Sequence, residues 1–225
     1  MSVLRRILPS CIAVAESRDD PPGGWLYPEE AALVSTAVDA RRREFTTVRH
    51  CARRAMRELG LRSVPVLPGR HGAPRWPSQA VGSLTHCAGY RGAALARGGD
   101  IAMLGIDAEP HVPLPGSVLE AIALPRERRR VEACLARYRD VRWDRLLFSA
   151  KESVYKAWNP YTGQRLEFED ADIDFDPHAM TFTARMLAPH PELPAGVPPA
   201  PGRLEGRWLV SGGVALTAIA VPVPL

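Results

Sequence analysis

The sequence predicts an α+β fold of small antiparallel sheets packed with helices. Two observations carry this. In long segments, apolar residues recur at three- and four-residue spacing, the period of an amphipathic helix. Elsewhere, short apolar runs are joined by glycine pairs, the pattern of antiparallel hairpins. No stretch repeats at the level of sequence.

Taken in chain order, MSVLRRILPSCIAVAES (1–17) imitates a secretory signal, with two arginines, a short apolar run and Ala13-Val14-Ala15. Pro9 and Ser10 break the run, so a first β-strand is expected instead. The loop SRDDPPGG (17–24) leads to WLYPEEAALVSTAV, where Pro28 and two glutamates suit the first turn of a helix. DARRREFTTVRHCARRAMRELG (39–60) is a stronger helix. Phe45, Val48, Ala52, Met56 and Leu59 mark one face, and Gly60 stands where a C-cap belongs. Residues 61–80, rich in Pro and Gly, read as loop. SLTHCAG (83–89) is strand-like, and RGAALARGGDIAMLGIDAE (91–109) predicts a hairpin turning at Gly98-Gly99. A basic helix is expected over roughly 125–139 and another from about 142 to 158. Strands at about 171–176 and 179–187, a Pro-rich loop (188–202) and the hairpin RWLVSGGVALTAIAV close the chain.

With 225 residues, 46% of them hydrophobic, the chain can bury a sizeable core as one large domain or two fused small ones. No apolar run approaches the roughly 20 residues of a membrane span, which predicts a soluble, cytoplasmic protein with no membrane partner. The net charge of +4 suits anionic partners without choosing among them. Cys11, Cys51, Cys87 and Cys134 show no CxxC spacing and read as reduced thiols, Cys87 facing the core. The pairs His50-Cys51 and His86-Cys87 lack the usual zinc spacing, and neighbours on a strand point to opposite faces.

The basic residues are unevenly chosen. Of 29, only Lys151 and Lys156 are lysines, both inside FSAKESVYKAW (148–158). Glu152 and Lys156 are i, i+4 on a helix, and an exposed pair of that kind contributes at most about 0.5 kcal/mol. Arginine would serve such a pair equally well. Lysine differs in losing its proton when desolvated and in offering a compact charge to phosphate. Upstream, GIDAEP places Asp107 and Glu109 two residues apart at the end of an apolar strand, on one face. Taken alone, such a pair is a solvated strand end. Beside the lysine helix it becomes a candidate oxygen-ligand set for a hard cation such as Mg²⁺.

LGIDAEP (104–110), followed about forty residues later by FSAKESVYKAW, resembles the two signature motifs of the 4'-phosphopantetheinyl transferases, G-[IV]-D-x-E and [WF]-[SCT]-x-K-E-x-x-x-K, at every fixed position. SLTHC is similar to the family's third block, and RRREFTTVRHCAR (41–53) to its arginine helix. The length resembles the Sfp-type branch, in which two similar α/β halves are fused with pseudo-twofold symmetry, and the wording is most like the actinobacterial PptT-like group. The resemblance implies an N-terminal half (1–104) serving the adenine and 3'-phosphate of coenzyme A. It also implies a C-terminal half (105–225) bearing metal and catalytic helix, with the active site between them.

It further implies transfer of the phosphopantetheine arm of coenzyme A to a serine of an acyl or peptidyl carrier protein, with release of 3',5'-ADP. By position, Asp107, Glu109 and Glu152 would hold Mg²⁺, or Mn²⁺. Glu152, directly or through a metal-bound water, would be the base, and Lys156 would neutralise or protonate the departing phosphate. Arg41, Arg49, Arg53, Thr85, His86, Lys151 and Lys156 would bind coenzyme A. Near relatives often carry a lysine in the loop where this chain has Pro68, Arg70 and His71, so either Arg70 substitutes or that contact is missing. Arg126, Arg128, Arg129 and Arg130 would form a docking patch for an acidic carrier, and a monomer is expected. A nucleic-acid module built on the arginine helix would explain the charge but neither the carboxylates nor the lysines, so no nucleic-acid partner is expected. A coenzyme A-binding relative without transfer is the other alternative. No P-loop motif occurs.

Overall fold

The computed structural model describes residues 2–189, 193–195 and 197–224. Part of the expected Pro-rich loop (190–192 and 196) thus lies outside the described residues. In order, the elements are β1 (Ala13–Ser17), α1 (Pro28–Ala32), α2 (Asp39–Glu58), β2 (Ala80–Cys87), β3 (Tyr90–Arg97), β4 (Ile101–Pro110), α3 (Gly116–Ile122), α4 (Pro125–Arg137), α5 (Trp143–Thr162), β5 (Ala171–Asp176), β6 (Thr181–Met186), β7 (Arg203–Ser211) and β8 (Val214–Pro222).

Two antiparallel sheets result, one of three strands in the order β1-β3-β2 and one of five in the order β4-β8-β7-β6-β5. Each carries one 20-residue helix. The apolar face of α2 (Cys51, Ala52, Ala55, Met56) closes on Ala13, Ala15, Ala93 and Leu95 of the small sheet. Helix α5 buries Trp143, Leu146, Leu147, Val154 and Trp158 on the large one. Gly60, at φ +71°, ends α2, and Gly163, at φ +70°, ends α5; both adopt the left-handed cap conformation that glycine accepts most readily.

Three expectations change. The N-terminal strand covers only 13–17, and Leu4–Ile7 form a 3-10 turn whose Leu4 and Ile7 join the core between the sheets. Runs 90–97 and 101–110 do not form a hairpin with each other. β3 already has β1 and β2 on its two edges, so no edge is left for β4, which crosses over and pairs with β8. The expected division at 104 and 105 therefore falls inside β4, and the chain changes sheets at the Gly98-Gly99 turn.

The halves are joined where β2 runs beside β4. Ser83 Oγ accepts the Ile106 N–H at 3.1 Å, and Thr85 Oγ1 accepts the Ala108 N–H at 2.9 Å. Hydroxyls here satisfy buried backbone donors that a ladder partner would otherwise serve. Among the described residues no helix is long and apolar enough to cross a membrane.

Candidate active site

Strand β4 meets helix α5 through Gly105. A Cβ there would fall 2.0 Å from the Ser153 carbonyl oxygen and 2.7 Å from the Ala157 amide nitrogen. Only glycine permits this approach. Alternation carries Asp107 and Glu109 onto the same face of the strand. Lys156 Nζ donates to Asp107 Oδ1 at 2.6 Å. Thr85 Oγ1 donates to that same oxygen at 3.4 Å. Arg145 of α5 donates to Glu109 Oε2 at 2.9 Å and to the carbonyls of Val112 and Pro113.

The carboxylates are short of positive charge. Burial pushes the Glu152 carboxyl up, with Lys156 opposing and Asp107 reinforcing the shift. Burial, then the charge of Asp107, pushes Glu109 up against the pull of Arg145. Asp107 Oδ2 is buried with no hydrogen-bond partner among the described residues. An orphaned carboxylate oxygen flanked by two destabilised carboxylates suits a hard divalent cation. Among the described residues no three acidic, His or Cys side chains converge as a finished ligand set. A cation such as Mg²⁺ takes few protein ligands and completes its shell with water and substrate phosphate.

In front of these groups lies a cleft of about 310 Å³ between the two halves. Helix α5 contributes Glu152, Tyr155, Lys156 and Asn159, β2 contributes Ser83, Thr85 and His86, and α2 contributes Arg49. Arg49 stacks over the Phe45 ring, 3.9 Å from its centroid, and donates to the Val66 carbonyl at 3.1 Å. Burial lowers its pKa to about 10, which leaves it a cation at neutral pH. Arg41 Nη1 lies 2.7 Å from His86 Nε2. A guanidinium only donates, so Nε2 accepts. Burial first, then Arg41, lowers the imidazole pKa, so His86 is neutral at pH 7. Of the sequence-predicted residues, Glu152, Lys156, Thr85, His86 and Arg49 line this cleft, Asp107 is buried against Lys156 and Thr85, Arg41 reaches it through His86, and Glu109 is held by Arg145.

Three candidates face elsewhere. Lys151 is 4% exposed. Its ammonium pairs with Glu127 at 2.9 Å and donates to the carbonyls of Phe168 at 2.5 Å and Ala171 at 2.7 Å. All three N–H bonds are taken, which leaves none for a phosphate. Arg53, 3% exposed, pairs with Glu30 at 3.0 Å, donates to the Trp25 carbonyl and stacks on the Trp25 ring. Its geometry is that of a core ion pair, so the Arg49-Arg53-Arg57 row is not a solvated basic stripe. Arg70 is exposed and lies over Gly163, while His71, at φ 53°, turns into the cleft. The docking patch is also partly occupied: Arg126 and Arg130 are bound, with Arg185, to Asp172.

Sequence reasoning missed Tyr155, Asn159, His71 as a cleft residue and Arg145. Tyr155 and Asn159 had a signal in position alone, because Tyr155 adjoins Lys156 and Asn159 lies three residues beyond it on α5, although Asn159 is itself buried. Arg145 had none, since its partner Glu109 is 36 residues away.

Residues 29–96 match the model of the 4'-phosphopantetheinyl transferase N-terminal domain, and residues 103–193 that of the 4'-phosphopantetheinyl transferase superfamily. The two matches part at the turn where the chain changes sheets. The chain is 55% identical to the 4'-phosphopantetheinyl transferase Svp of Streptomyces mobaraensis, over 94% of this chain and 85% of that protein. It is 47% identical to the 4'-phosphopantetheinyl transferase PptT of Mycobacterium tuberculosis, over 98% and 96%. With the 4'-phosphopantetheinyl transferase Npt of Nocardia iowensis the identity is 42%, over 97% and 99%.

Proposed function

The chain belongs to the 4'-phosphopantetheinyl transferase superfamily, and on that premise we propose that it moves the 4'-phosphopantetheine arm of coenzyme A onto a serine hydroxyl of an apo acyl or peptidyl carrier protein, releasing 3',5'-ADP. The observation that carries this proposal is that Glu152 and Lys156 line one cleft built by both halves, with Lys156 paired to the buried Asp107.

Arg49 and His86 of the cleft lining, with Arg41 bound to His86, would take the nucleotide end of coenzyme A. His71, in the loop between α2 and β2, lines the same cleft and would add a polar group to it. Asp107, Glu109 and Glu152 would hold Mg²⁺ or Mn²⁺, which when bound neutralises pyrophosphate charge. Lys156 sits on Asp107 and lines the cleft, where it would neutralise the departing phosphate oxygen or give it a proton.

The balance of the transfer is simple. The serine Oγ forms a bond to the phosphorus that bears the pantetheine arm. The bond from that phosphorus to the bridging oxygen breaks, and the electron pair leaves on 3',5'-ADP. The serine proton passes to Glu152, whose burial raises its proton affinity. Most of the rate would come from placing two reactants against fixed charges.

Intact-protein mass of an apo carrier incubated with the protein, coenzyme A and Mg²⁺ tests the proposal. A gain of one phosphopantetheine arm, abolished by Glu152→Gln and by EDTA, is the expected result. No gain across several carrier types, with coenzyme A still bound, points instead to a relative that binds without transferring.

A further inference from the structure

Two clamps of one design brace the molecule. In each, a proline opens a short helix and the glutamate at the third helical position is buried: Glu30 in α1 and Glu127 in α4. Each glutamate reaches back to the N–H of its own cap residue, Tyr27 at 3.1 Å and Leu124 at 2.7 Å, as in a capping box. Each accepts a distant backbone N–H, Val66 at 2.8 Å and Ile173 at 2.7 Å. Each then pairs with a buried cation on the long helix that follows, Arg53 at 3.0 Å and Lys151 at 2.9 Å.

The clamps differ in what else they hold. Arg53 spends its remaining contacts on Trp25, close to its own clamp. Lys151 reaches two carbonyls, Phe168 and Ala171, in the segment after α5. Three acceptors converge on one atom there. An ammonium offers three N–H bonds from one point, whereas a guanidinium spreads its donors over a plane. This accounts for a lysine in a chain that otherwise writes arginine.

The segment Lys151 holds is a wall. Arg165, Leu166, Glu167 and Phe168 line a second cavity of about 280 Å³, and Glu152 and Tyr155 line it from α5. Those two residues also line the nucleotide-side cleft. Glu152 therefore lines two cavities, one of them walled by the segment that Lys151 holds.

We infer that Lys151 is a positioning residue for phosphopantetheinyl transfer: by fixing residues 165–171 to α5, it sets the wall that faces Glu152 on the side away from the nucleotide. This assignment rests on the transferase proposal. It predicts a split between nucleotide binding and turnover, because the clamp touches only the second cavity.

The test uses Lys151→Arg, which keeps the charge opposite Glu127 but cannot place three N–H bonds at one point, with Lys151→Gln as the second variant. Both are assayed at temperatures where near-UV circular dichroism reports them folded. The expected result is a kcat lowered about tenfold, since small misplacements at a reacting centre are costly. The Kd for 3',5'-ADP stays within twofold of wild type. Amide exchange over residues 165–171 becomes at least tenfold faster. Wild-type kcat and wild-type protection in Lys151→Arg would overturn the assignment, leaving Lys151 a charge partner only. Failure of both variants to fold at any temperature would also overturn it, leaving a stability residue. Wild-type protein charging an apo carrier in the same assay keeps the two ideas apart. If wild type transfers nothing, the activity is wrong, while exchange and 3',5'-ADP binding still report on the clamp.

Discussion

Helix α2 of the N-terminal half and helix α5 of the C-terminal half have the same length and the same place on their sheets. They also share a division of labour among their cations. On α2, Arg49 lines the cleft and Arg41 contacts its His86, while Arg53 is buried on Glu30. On α5, Lys156 stands at the cleft while Lys151 is buried behind it on Glu127. The difference lies in the chemistry of the buried partner. The Arg53 guanidinium lies over the Trp25 ring, 4.1 Å from its centroid, with the Tyr27 ring at 5.8 Å, a setting that favours a planar cation. Lys151 meets three converging oxygens and, among the described residues, stacks on no ring. Residue type alone therefore does not separate a ligand cation from a bracing one; depth behind the helix face does.

Breaking the clamps gives the largest expected effects. Glu30→Ala and Glu127→Ala each strand a buried cation and two backbone N–H groups. The loss of one partner of a buried pair costs about 3–5 kcal/mol, or roughly 6–20 °C in Tm for a chain of this size. Thermal denaturation checks this. The two variants should part in ligand binding. Glu30 also receives the Val66 N–H, and the Val66 carbonyl holds Arg49 at the cleft. Glu30→Ala should therefore weaken 3',5'-ADP, whereas Glu127→Ala should not. Equal loss of nucleotide binding in both would erase the distinction between the halves.

Gly105→Ala comes next. Its Cβ would collide with backbone of α5 rather than with a side chain end, so β4 must shift away from Ser153. Overpacking of this kind costs about 1–3 kcal/mol. The shift would also carry Asp107 away from Lys156, so Mn²⁺ affinity measured by electron paramagnetic resonance should fall along with Tm. A lowered Tm with unchanged Mn²⁺ binding would mean that Asp107 is placed by something other than this contact.

Arg53→Lys sharpens the comparison at smaller cost. It keeps the charge on Glu30 but loses the stacking on Trp25 and the bond to its carbonyl. A stacked cation of this kind contributes about 1–2 kcal/mol, so Tm should fall by a few degrees while the fold survives. A fully stable Arg53→Lys protein would show that the two buried cations are interchangeable.

Much of this was legible beforehand because it is local. The periodicity of 39–60 and of 142–158 locates α2 and α5, and strand alternation puts Asp107 and Glu109 on one face. The motifs bring Asp107, Glu152, Lys156 and His86 to one place. The misreadings are all tertiary. Lys151 and Lys156 look alike along the chain, and only the packing of α4 and of residues 165–171 against α5 consumes one of them. The apparent 91–109 hairpin fails because strand pairing depends on which edges are free, and β3 has none. One long-range signal was present: Pro28-Glu29-Glu30 and Pro125-Arg126-Glu127 repeat a Pro-x-Glu start. That start marks the two buried glutamates, although the chain shows no repeat otherwise.

The smallest expected effect compares two acids that brace the sheets. Asp20 in the N-terminal half and Asp172 in the C-terminal half would both be raised by burial. Hydrogen bonds from Arg91 and Thr47 to Asp20, and from Arg130, Arg185 and Arg126 to Asp172, outweigh burial and hold both below the ordinary carboxylate value. A lowered folded pKa means stability that is complete above the unfolded value of about 3.9 and is lost as pH falls through the folded value. Tm should therefore drop on the acid side below about pH 5, and replacing either acid by asparagine should flatten that limb. Asp172 is the less exposed side chain, 8% against 17%, and is bound by three arginines rather than one. Asp172→Asn should flatten the limb more than Asp20→Asn. A Tm series from pH 6 to 3 on the two variants decides it, and the reverse order would place the acid-sensitive brace in the N-terminal half.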